Sequence, residues 1–304
     1  MGKVVHVQSA ATPALVFVVV VLLWGGTFIA VKICLQQWSV VQVMAGRYVF
    51  GALLLLPLAL QAYRANSVPL KAHALPILHL ALVGSVLPVG LMTWAQLSIP
   101  SGLAGVIASL APMMALIAGV MFFGLPSRGL HWLGVLLGTG GIVVLRWEGS
   151  SVVGAATNLP ASALAAALLA TVCWGLAAQN YRRHLSKLNP LHVTALSFQV
   201  MALVMLVVLA IQADAPTMRS HDSWMPWLYL LCLGAFSAVA VTGYNWLIAR
   251  WGAVNASSCT YVVPLVALGL GYLDAEPLSW RVALACLLIA LAMWAVRQPV
   301  KLKI

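Results

Sequence analysis

Trp24 and Trp174, each followed by a glycine, occupy matching places in the two halves of this chain. Counting about 1.5 Å per residue puts both near the centre of a long apolar run, although tryptophans of membrane proteins usually lie at the membrane–water interface. A deep indole ring offers a flat face to apolar or aromatic ligands and to cations. We therefore expect both rings to line a ligand cavity, with Thr27 and Phe28 beside Trp24, while plain helix packing is the alternative.

Prolines mark the same depth in two further apolar runs. Trp94 and Pro112 are 18 residues apart, as are Trp246 and Pro264. A proline inside a helix removes a backbone hydrogen bond and frees a carbonyl, which lipid tolerates only where neighbouring helices or a cavity satisfy the freed group. We expect Pro112 and Pro264 to border the same cavity, and the alternative is that they only kink packed helices.

Polar uncharged residues lie on the apolar runs that would surround such a cavity. The candidates for substrate binding among them are Gln179, Tyr244, Asn245, Ser258 and Tyr261. They predict either a hydrated vestibule or hydrogen bonds between helices, which contribute about 0.6 kcal/mol each. Trp94 is expected at the outer mouth of the cavity or in an interfacial aromatic belt.

Three ionisable residues within or beside apolar runs are candidates for coupling or gating, namely Lys32, Arg47 and His79. Lys32 is expected to extend to the outer interface or to attract an anionic group of the substrate. Arg47 requires a carbonyl, water or substrate as partner, since an unpartnered charge at depth costs about 3 kcal/mol. His79 is expected to be a neutral imidazole, with proton transfer as the alternative.

The composition predicts the elements that carry these residues. The 304 residues are 63% hydrophobic and 7% charged, with a mean hydropathy of +1.03, whereas soluble domains are about 25% charged. A soluble globule is excluded, and the continuous apolar runs contradict the alternation of a β-barrel. We predict an all-α membrane protein with ten transmembrane helices, at 13–33, 40–62, 74–97, 101–124, 130–147, 160–181, 190–212, 226–249, 253–273 and 279–297.

The matching tryptophans indicate an internal duplication, with one five-helix repeat in 1–150 and a second in 151–304. An odd number of helices per repeat gives the two repeats opposite orientations. Such inverted repeats are typical of secondary transporters with a central cavity near the midplane. Most lysines and arginines fall in the loops of one face and all five acids fall on the other, so we expect both termini in the cytoplasm.

The order of these motifs resembles a repeat of the EamA family of the drug/metabolite transporter superfamily. The pattern comprises Trp24-Gly25, Lys32, Arg47, Ser101 to Pro112 and a glycine-rich fifth run, and then Trp174-Gly175, Ala253 to Pro264 and Glu276. Two departures are Gly124-Leu125 in place of the usual Gly-Glu and the lack of a second-half counterpart of Arg47. The resemblance implies a ten-helix carrier of the bacterial inner membrane, commonly an exporter of amino acids or other small metabolites.

The absence of acids from the apolar runs bears on energy coupling. Proton-driven carriers usually keep a carboxylate within the membrane, whereas all five acids lie at or beyond the outer boundary here. Antiport through a buried carboxylate is therefore not available. Facilitated efflux remains, as does coupling through His79, a boundary residue or the charge of the substrate.

Other functions fit the residues less well. An enzyme needs reactive groups at depth, and no two histidines stand at ligand spacing. The five cysteines contain no CxxC pair, so we expect neither a metal nor another cofactor. The basic residues are scattered, which argues against nucleic acid.

The expected partners are the lipid bilayer and a small zwitterionic, neutral or aromatic metabolite, handled by a monomer or a homodimer. The alternatives are a carrier for phosphorylated or nucleotide-sugar substrates and, with less support, a channel or scaffold. A nucleotide-sugar carrier should place several cations around its cavity. The runs that would surround the cavity supply only Lys32 and Arg182 near their ends.

Overall fold

The structure is a computed structural model that describes residues 11–124, 126–147, 160–212, 224–256, 259–274, 280–296 and 298. Every regular element within these ranges is a helix, which confirms the predicted all-α class. In chain order the elements are α1 (Ala11–Leu35), α2 (Val40–Arg64), α3 (Leu70–Ala81), the π-helical segment π1 (Leu82–Val86), α4 (Leu87–Ala95), α5 (Ser101–Ala108), α6 (Ala111–Phe123), α7 (Gly129–Trp147), α8 (Ala161–Asn180), the π-helical segment π2 (Tyr181–Leu185), α9 (Pro190–Ile211), α10 (Met225–Ala256), α11 (Cys259–Leu273) and α12 (Trp280–Val296).

Seven helical segments of the described chain are long and apolar enough to cross a bilayer. These segments include Leu70–Ala95 and Ser101–Phe122, each of which joins two α-helices into one continuous unit. Two shorter apolar helices, Val262–Leu273 and Trp280–Ala292, lie within α11 and α12. Each of the ten predicted segments overlaps a helix, but a crossing by all ten stays a prediction.

Proline explains two interruptions that the sequence prediction did not include. Pro88 lies in the first turn of α4, directly after π1, and Pro112 lies in the first turn of α6, directly after the break that follows α5. Proline has no N–H to donate, and its ring clashes with the carbonyl four residues earlier, which disrupts the α-helix at these two places. Each predicted run therefore remains helical overall but changes its winding. By contrast, α2 and α11 continue as α-helices through Pro57 and Pro264.

The helix α10 differs from its predicted bounds. It continues to Ala256, past the predicted end at 249. No proline interrupts this stretch, and the guanidinium of Arg250 lies 4.8 Å from the ring centroid of Trp246, one turn earlier on the same helix. The expected loop around Arg250 is therefore helical.

Equivalent caps begin the second helix of each half. The Ser39 hydroxyl accepts from the Gln42 backbone N–H at 3.3 Å, and the Gln42 side-chain oxygen accepts from the Ser39 N–H at 2.9 Å. At the start of α9, the Asn189 side chain accepts from the Leu191 N–H at 3.0 Å. These side chains satisfy N–H groups that have no partner within the helix.

The two halves pack through corresponding pairs of helices. In the first half α1 packs against α10 and α11, and in the second half α8 correspondingly packs against α4 and α6. The pairs α2 with α9, α5 with α11 and α7 with α12 join equivalent elements, and the contact of α10 with α2 corresponds to that of α3 with α9. Exchanging the halves maps each of these major contacts onto another contact or onto itself, so the fold has an internal pseudo-twofold relation.

Small residues allow the helices of the largest core cluster to approach closely. Ala104, Ala167 and Ala170 are fully buried in this cluster, which draws on α4, α5, α6, α8 and α12. Small residues are typical of helix contacts in membranes, where lipid offers no hydrophobic driving force between helices. Large apolar side chains such as Leu75 and Ile211 are instead exposed on the outer surface, as lipid contact requires.

Candidate functional site

Trp24 lies partly buried in α1 and contacts Tyr244 of α10. The two ring centroids are 4.7 Å apart and the rings are tilted by 48°. Both rings pack against a buried cluster that contains Val20, Leu247 and Val263. The structure therefore brings together two of the predicted site residues, which lie far apart in the chain.

Gly25 allows α1 to cross α11 at close range. A Cβ atom at this position would lie 2.6 Å from the Val266 Cβ and 3.3 Å from the Val263 carbonyl oxygen. Real Cβ atoms do not approach other heavy atoms as closely as the first of these distances. Pro264 stands between these two valines in the sequence, and its side chain is buried. The tryptophan–glycine segment of the first half thus packs on the proline-containing helix of the second half.

The same crossing recurs between α8 and α6. A Cβ atom on Gly175 would lie 2.6 Å from the Ala115 backbone nitrogen. The Gln179 side chain, one turn further along α8, donates to the Ala115 carbonyl at 3.1 Å. Pro112 stands one turn before this contact and is partly buried. The first contact is that of Gly25 with Val263 and Val266, and the second is that of Gly175 with Ala115. We call these two contacts the reciprocal crossings.

Phe28 connects the surroundings of the two tryptophans. It packs against the cluster around Trp24 and also against the largest core cluster, on which Trp174 packs. Its backbone carbonyl accepts a hydrogen bond from the Gln96 side chain of the α4–α5 connection at 2.8 Å. Thr27, only 6% exposed, donates to the Trp24 carbonyl at 2.7 Å within α1. These bonds fix the part of α1 that carries Trp24.

Trp94 lies at the surface of the structure. Its side chain is 44% exposed at the end of α4. This exposure matches the interfacial belt that was the alternative interpretation of its sequence position.

Asn245 joins α10 to α9. Its amide donates to the Thr194 hydroxyl, and that hydroxyl donates to the Pro190 carbonyl at 2.8 Å. Asn180 makes a similar bond from the end of α8, donating to the Pro76 carbonyl of α3 at 3.0 Å. Together with the Gln179 bond, these contacts correspond to the interhelical hydrogen bonds that were one of the two sequence-based interpretations.

The cation of Lys32 has a protein partner. Its Nζ lies 2.6 Å from the Asp274 carboxylate, which follows α11, and the two side chains are 32% and 46% exposed. Folding places the end of α1 beside the end of α11, so Lys32, predicted to extend to the outer interface, lies next to an acid that the sequence assigned to the same face. The pair links the two halves of the chain.

Arg47 and His79 occupy different helix contacts. Arg47 is partly buried on α2, next to the buried Tyr48. His79 is partly buried on α3, and its Nδ1 atom is buried with no hydrogen-bond partner among the described residues. His184 is exposed on π2, which packs against α3.

Some predicted residues lie outside the described part of the chain. Ser258 and Glu276 fall in undescribed ranges, and for Tyr261 the structure describes the helix α11 but not the side chain.

The sequence reasoning missed several residues at helix contacts. The hydroxyls of Tyr48, Tyr181 and Thr242 are buried without a hydrogen-bond partner in the described structure. Tyr181 had a usable signal, because it stands beside Arg182, which corresponds to Lys32 in the duplication. Thr194 had none, since only the packing of α9 on α10 brings it to Asn245.

The fold and these crossings define a helical membrane protein built from two related halves. The chain belongs to the EamA-like transporter family, whose model matches residues 11–147 and again residues 161–297. The family membership predicted from the motifs is thereby confirmed, and so is the two-repeat architecture. Membership makes the chain a protein of a transporter family.

Individual proteins show the same relationship. The chain is 27% identical over 270 residues to the uncharacterized inner membrane transporter YedA of Escherichia coli (strain K12), and the alignment covers 85% of this chain and 81% of YedA. YedA of Escherichia coli O157:H7 matches with the same values. A solved crystal structure shares the fold with a TM-score of 0.63 at 19% identity, over 94% of this chain and 96% of that chain.

Proposed function

We propose that this protein is a secondary transporter that exports a small metabolite across the bacterial inner membrane by alternating access. The observation that carries the proposal is the pair of reciprocal crossings. Each half presents its tryptophan–glycine helix to the proline-containing helix of the other half. Two equivalent contacts of this kind allow the halves to rock about a shared site, which is the mechanism that inverted repeats support.

The proposed substrate site lies between the two tryptophans. Trp24 and Tyr244 form one wall of the site, and Trp174 forms the other. Phe28 packs against the residues around Trp24 and against those around Trp174. Pro112 and Pro264 border this site on the two crossing helices. Each proline also withholds a backbone N–H, so that a helix carbonyl near the site becomes available to a polar group of the substrate.

The charges near the site favour a zwitterionic, neutral or aromatic metabolite. Lys32 is paired with Asp274, and Arg182 is exposed in π2. A phosphorylated substrate carries about two negative charges at neutral pH and needs several positioned cations. Aromatic side chains instead bind flat apolar groups and single ammonium groups.

Efflux from proteoliposomes tests the proposal. The full-length chain is reconstituted and loaded with a panel of labelled amino acids, other neutral metabolites, sugar phosphates and nucleotide sugars. We expect efflux of a member of the first two groups, and a loss of more than about tenfold in Trp24→Ala and Trp174→Ala, since each removes a site wall. Wild-type rates in both variants would contradict the site, and efflux of only phosphorylated compounds would contradict the substrate class.

Trp294→Ala is the matched control. Trp294 lies in α12 with 58% of its surface exposed, so its replacement removes an indole ring without reaching the reciprocal crossings. We expect wild-type efflux in this variant. Equal expression of all three variants in the membrane separates a transport defect from misfolding.

The orientation is part of the same proposal. With both termini in the cytoplasm, a thiol-reactive reagent that cannot cross the membrane should label a cysteine introduced at Lys3 only after the cells are opened. Labelling of intact spheroplasts at this position would contradict the proposed orientation.

A further inference from the structure

The outward side of α2 carries a groove of about 600 Å³. Its lining residues are Pro57, Leu60, Gln61, Arg64 and Ala65. All five are exposed, whereas the opposite side of the helix, with Leu55 and Ala59, is buried. The groove therefore faces away from the helix bundle.

The outward side of α2 changes from apolar to basic along the helix. Pro57, Leu60 and Arg64 are spaced by three and four residues, so they lie on one side of α2. Leu53, one turn before Pro57, is 59% exposed and continues this side. From Leu53 to Arg64 the helix rises about 16 Å, which is about half the hydrocarbon thickness of a bilayer. The apolar part thus matches the depth of one leaflet.

Arg64 ends this side of α2 at the level of the membrane surface. It lies in the last turn of the helix, and the neighbouring Tyr63 is 71% exposed, as is typical of aromatic residues at the membrane–water interface. Within the described ranges the Arg64 guanidinium has neither a hydrogen bond nor an ion pair. Its charge is therefore available to a ligand.

The end of the bundle that carries Arg64 is basic. The Ser67 hydroxyl lies 2.6 Å from the His192 Nδ1, which brings the connection after α2 to the start of α9. A buried cluster joins Val68 of the same connection to Leu185 of π2. Further exposed basic side chains at this end include Arg182, Arg183 and Lys187.

No acid in the described part of the chain offsets this charge. Asp274 is the one acid there, and it pairs with Lys32 near the end of α1. Because α2 begins four residues after α1 has ended at Leu35 and runs back across the bundle, this pair lies at the opposite end from Arg64. Anionic groups are therefore attracted to the Arg64 end.

An anionic phospholipid is complementary to both parts of this surface. A phosphate accepts strong hydrogen bonds from a guanidinium, and an acyl chain removes the apolar side of the groove from water. A soluble anion would use Arg64 but leave Leu53 and Leu60 uncovered. A second copy of this chain would bring a second basic end to the same surface.

We propose that the groove on α2 binds one anionic phospholipid. The phosphate is held by Arg64, and an acyl chain lies along Leu60, Pro57 and Leu53. The site is on the outward side of the bundle and does not include Trp24 or Trp174. The proposal therefore does not rest on the transport function.

Native mass spectrometry of the full-length chain in detergent tests the site. The chain is titrated with phosphatidylglycerol or with phosphatidylcholine of identical acyl chains, and bound lipids and copies of the chain are counted in the same spectra. We expect the first phosphatidylglycerol to bind at least about fivefold more tightly than the first phosphatidylcholine, as one arginine near a lipid headgroup implies. Inorganic phosphate at about 10 mM should not displace it, since phosphate alone does not cover the apolar part.

Two variants separate the parts of the site. Arg64→Gln should reduce the preference for phosphatidylglycerol to less than about twofold, whereas Arg64→Lys should keep most of it. Leu60→Gln should weaken both lipids by about threefold and leave the preference unchanged, because it alters only the apolar part. Both residues are exposed, so neither replacement disturbs the core.

Arg250→Gln is the matched control. Arg250 is exposed on α10, where its guanidinium lies 4.8 Å from the ring centroid of Trp246. The bond between Asn245 and Thr194 places this part of α10 beside the start of α9, so the control removes the same charge from the same end without reaching the groove. It should keep the wild-type preference.

Four results would overturn the site. They are equal affinity of the wild-type chain for both lipids, a full preference that persists in Arg64→Gln, displacement of the lipid by inorganic phosphate, and a dimer without bound lipid. None of them involves efflux or the tryptophan variants. Failure of this inference and failure of the transport proposal are therefore distinguishable.

Discussion

Lys32 and Asp274 are 242 residues apart in the chain, yet their side chains form an ion pair of 2.6 Å. The pair joins the end of α1 to the residue that follows α11. These are the same two helices that meet at Gly25 and Val266 deeper in the bundle. One helix pair thus carries an apolar crossing along its length and a charged contact at its end.

Breaking this ion pair should alter transport more than stability. A partly exposed pair contributes about 0.2–1 kcal/mol, so Lys32→Met and Asp274→Asn should leave the melting temperature nearly unchanged. Because the pair joins the two halves, its loss favours their separation at this end, and we expect the efflux rate to change by about two- to fivefold. The charge-reversed double variant Lys32→Asp with Asp274→Lys should restore the wild-type rate, and Lys71→Met serves as a control at an exposed lysine. A double variant that behaves like the single variants would contradict the role of the pair.

Gly175 should be intolerant of even one methyl group. Gly175→Ala would place its Cβ 2.6 Å from the Ala115 nitrogen, and the backbone cannot yield as a flexible side chain would. We expect a loss of about 1–3 kcal/mol in unfolding free energy, measured by thermal unfolding in detergent. Gly140→Ala is the matched control, because in the described part of the chain no atom beyond its own stretch of helix lies within 4 Å of the added Cβ. Equal stability of both variants would show that the α8–α6 crossing is looser than the structure indicates.

Asn245 and Thr194 should be energetically coupled. Thr194→Val removes the hydroxyl that accepts from Asn245 and donates to Pro190, whereas Thr194→Ser keeps both bonds. We expect Thr194→Val and Asn245→Ala each to lower the unfolding free energy by about 0.6–1.7 kcal/mol, and Thr194→Ser to be close to wild type. A double-mutant cycle measures the coupling, and strictly additive losses would indicate that the two side chains do not interact.

Tyr244 should act through its ring on Trp24. Tyr244→Leu removes an aromatic contact worth about 0.5–1.5 kcal/mol beyond the area that it buries, which frees the Trp24 ring to reorient. We expect the KM for efflux to rise severalfold in Tyr244→Leu, while Tyr244→Phe keeps the ring and the wild-type KM. A rise of the KM in both variants would show that the hydroxyl of Tyr244, and not its ring, is required.

The sequence was sufficient for the positions of most helices. The runs predicted at 13–33 and 40–62 correspond to Ala11–Leu35 and Val40–Arg64, because a backbone in lipid satisfies its own polar groups only as a helix over a length that the bilayer sets. The duplicated tryptophans and prolines also predicted the family and its two repeats. These features are local in the chain and need no knowledge of packing.

The sequence was insufficient for the partners of the polar residues. Gln179 and Asn245 read equally well as cavity lining or as hydrogen-bonding groups, and their bonds to Ala115 and Thr194 became visible only in the fold. The π segments were missed for a related reason. A π turn differs from an α turn by one inserted residue, and its apolar pattern is that of the surrounding helix.

What the amino-acid sequence determined by itself was that this chain forms apolar helices in two related sets, because composition and periodicity act over single turns and single spans. Only the tertiary structure decided that Lys32 meets Asp274 and that Gly25 and Gly175 each admit a helix of the opposite half. In lipid each helix satisfies its own backbone N–H and C=O groups, so the backbone gives no preference for one neighbouring helix over another. The choice of neighbours therefore depends on side-chain fit between helices, which distant parts of the chain decide together.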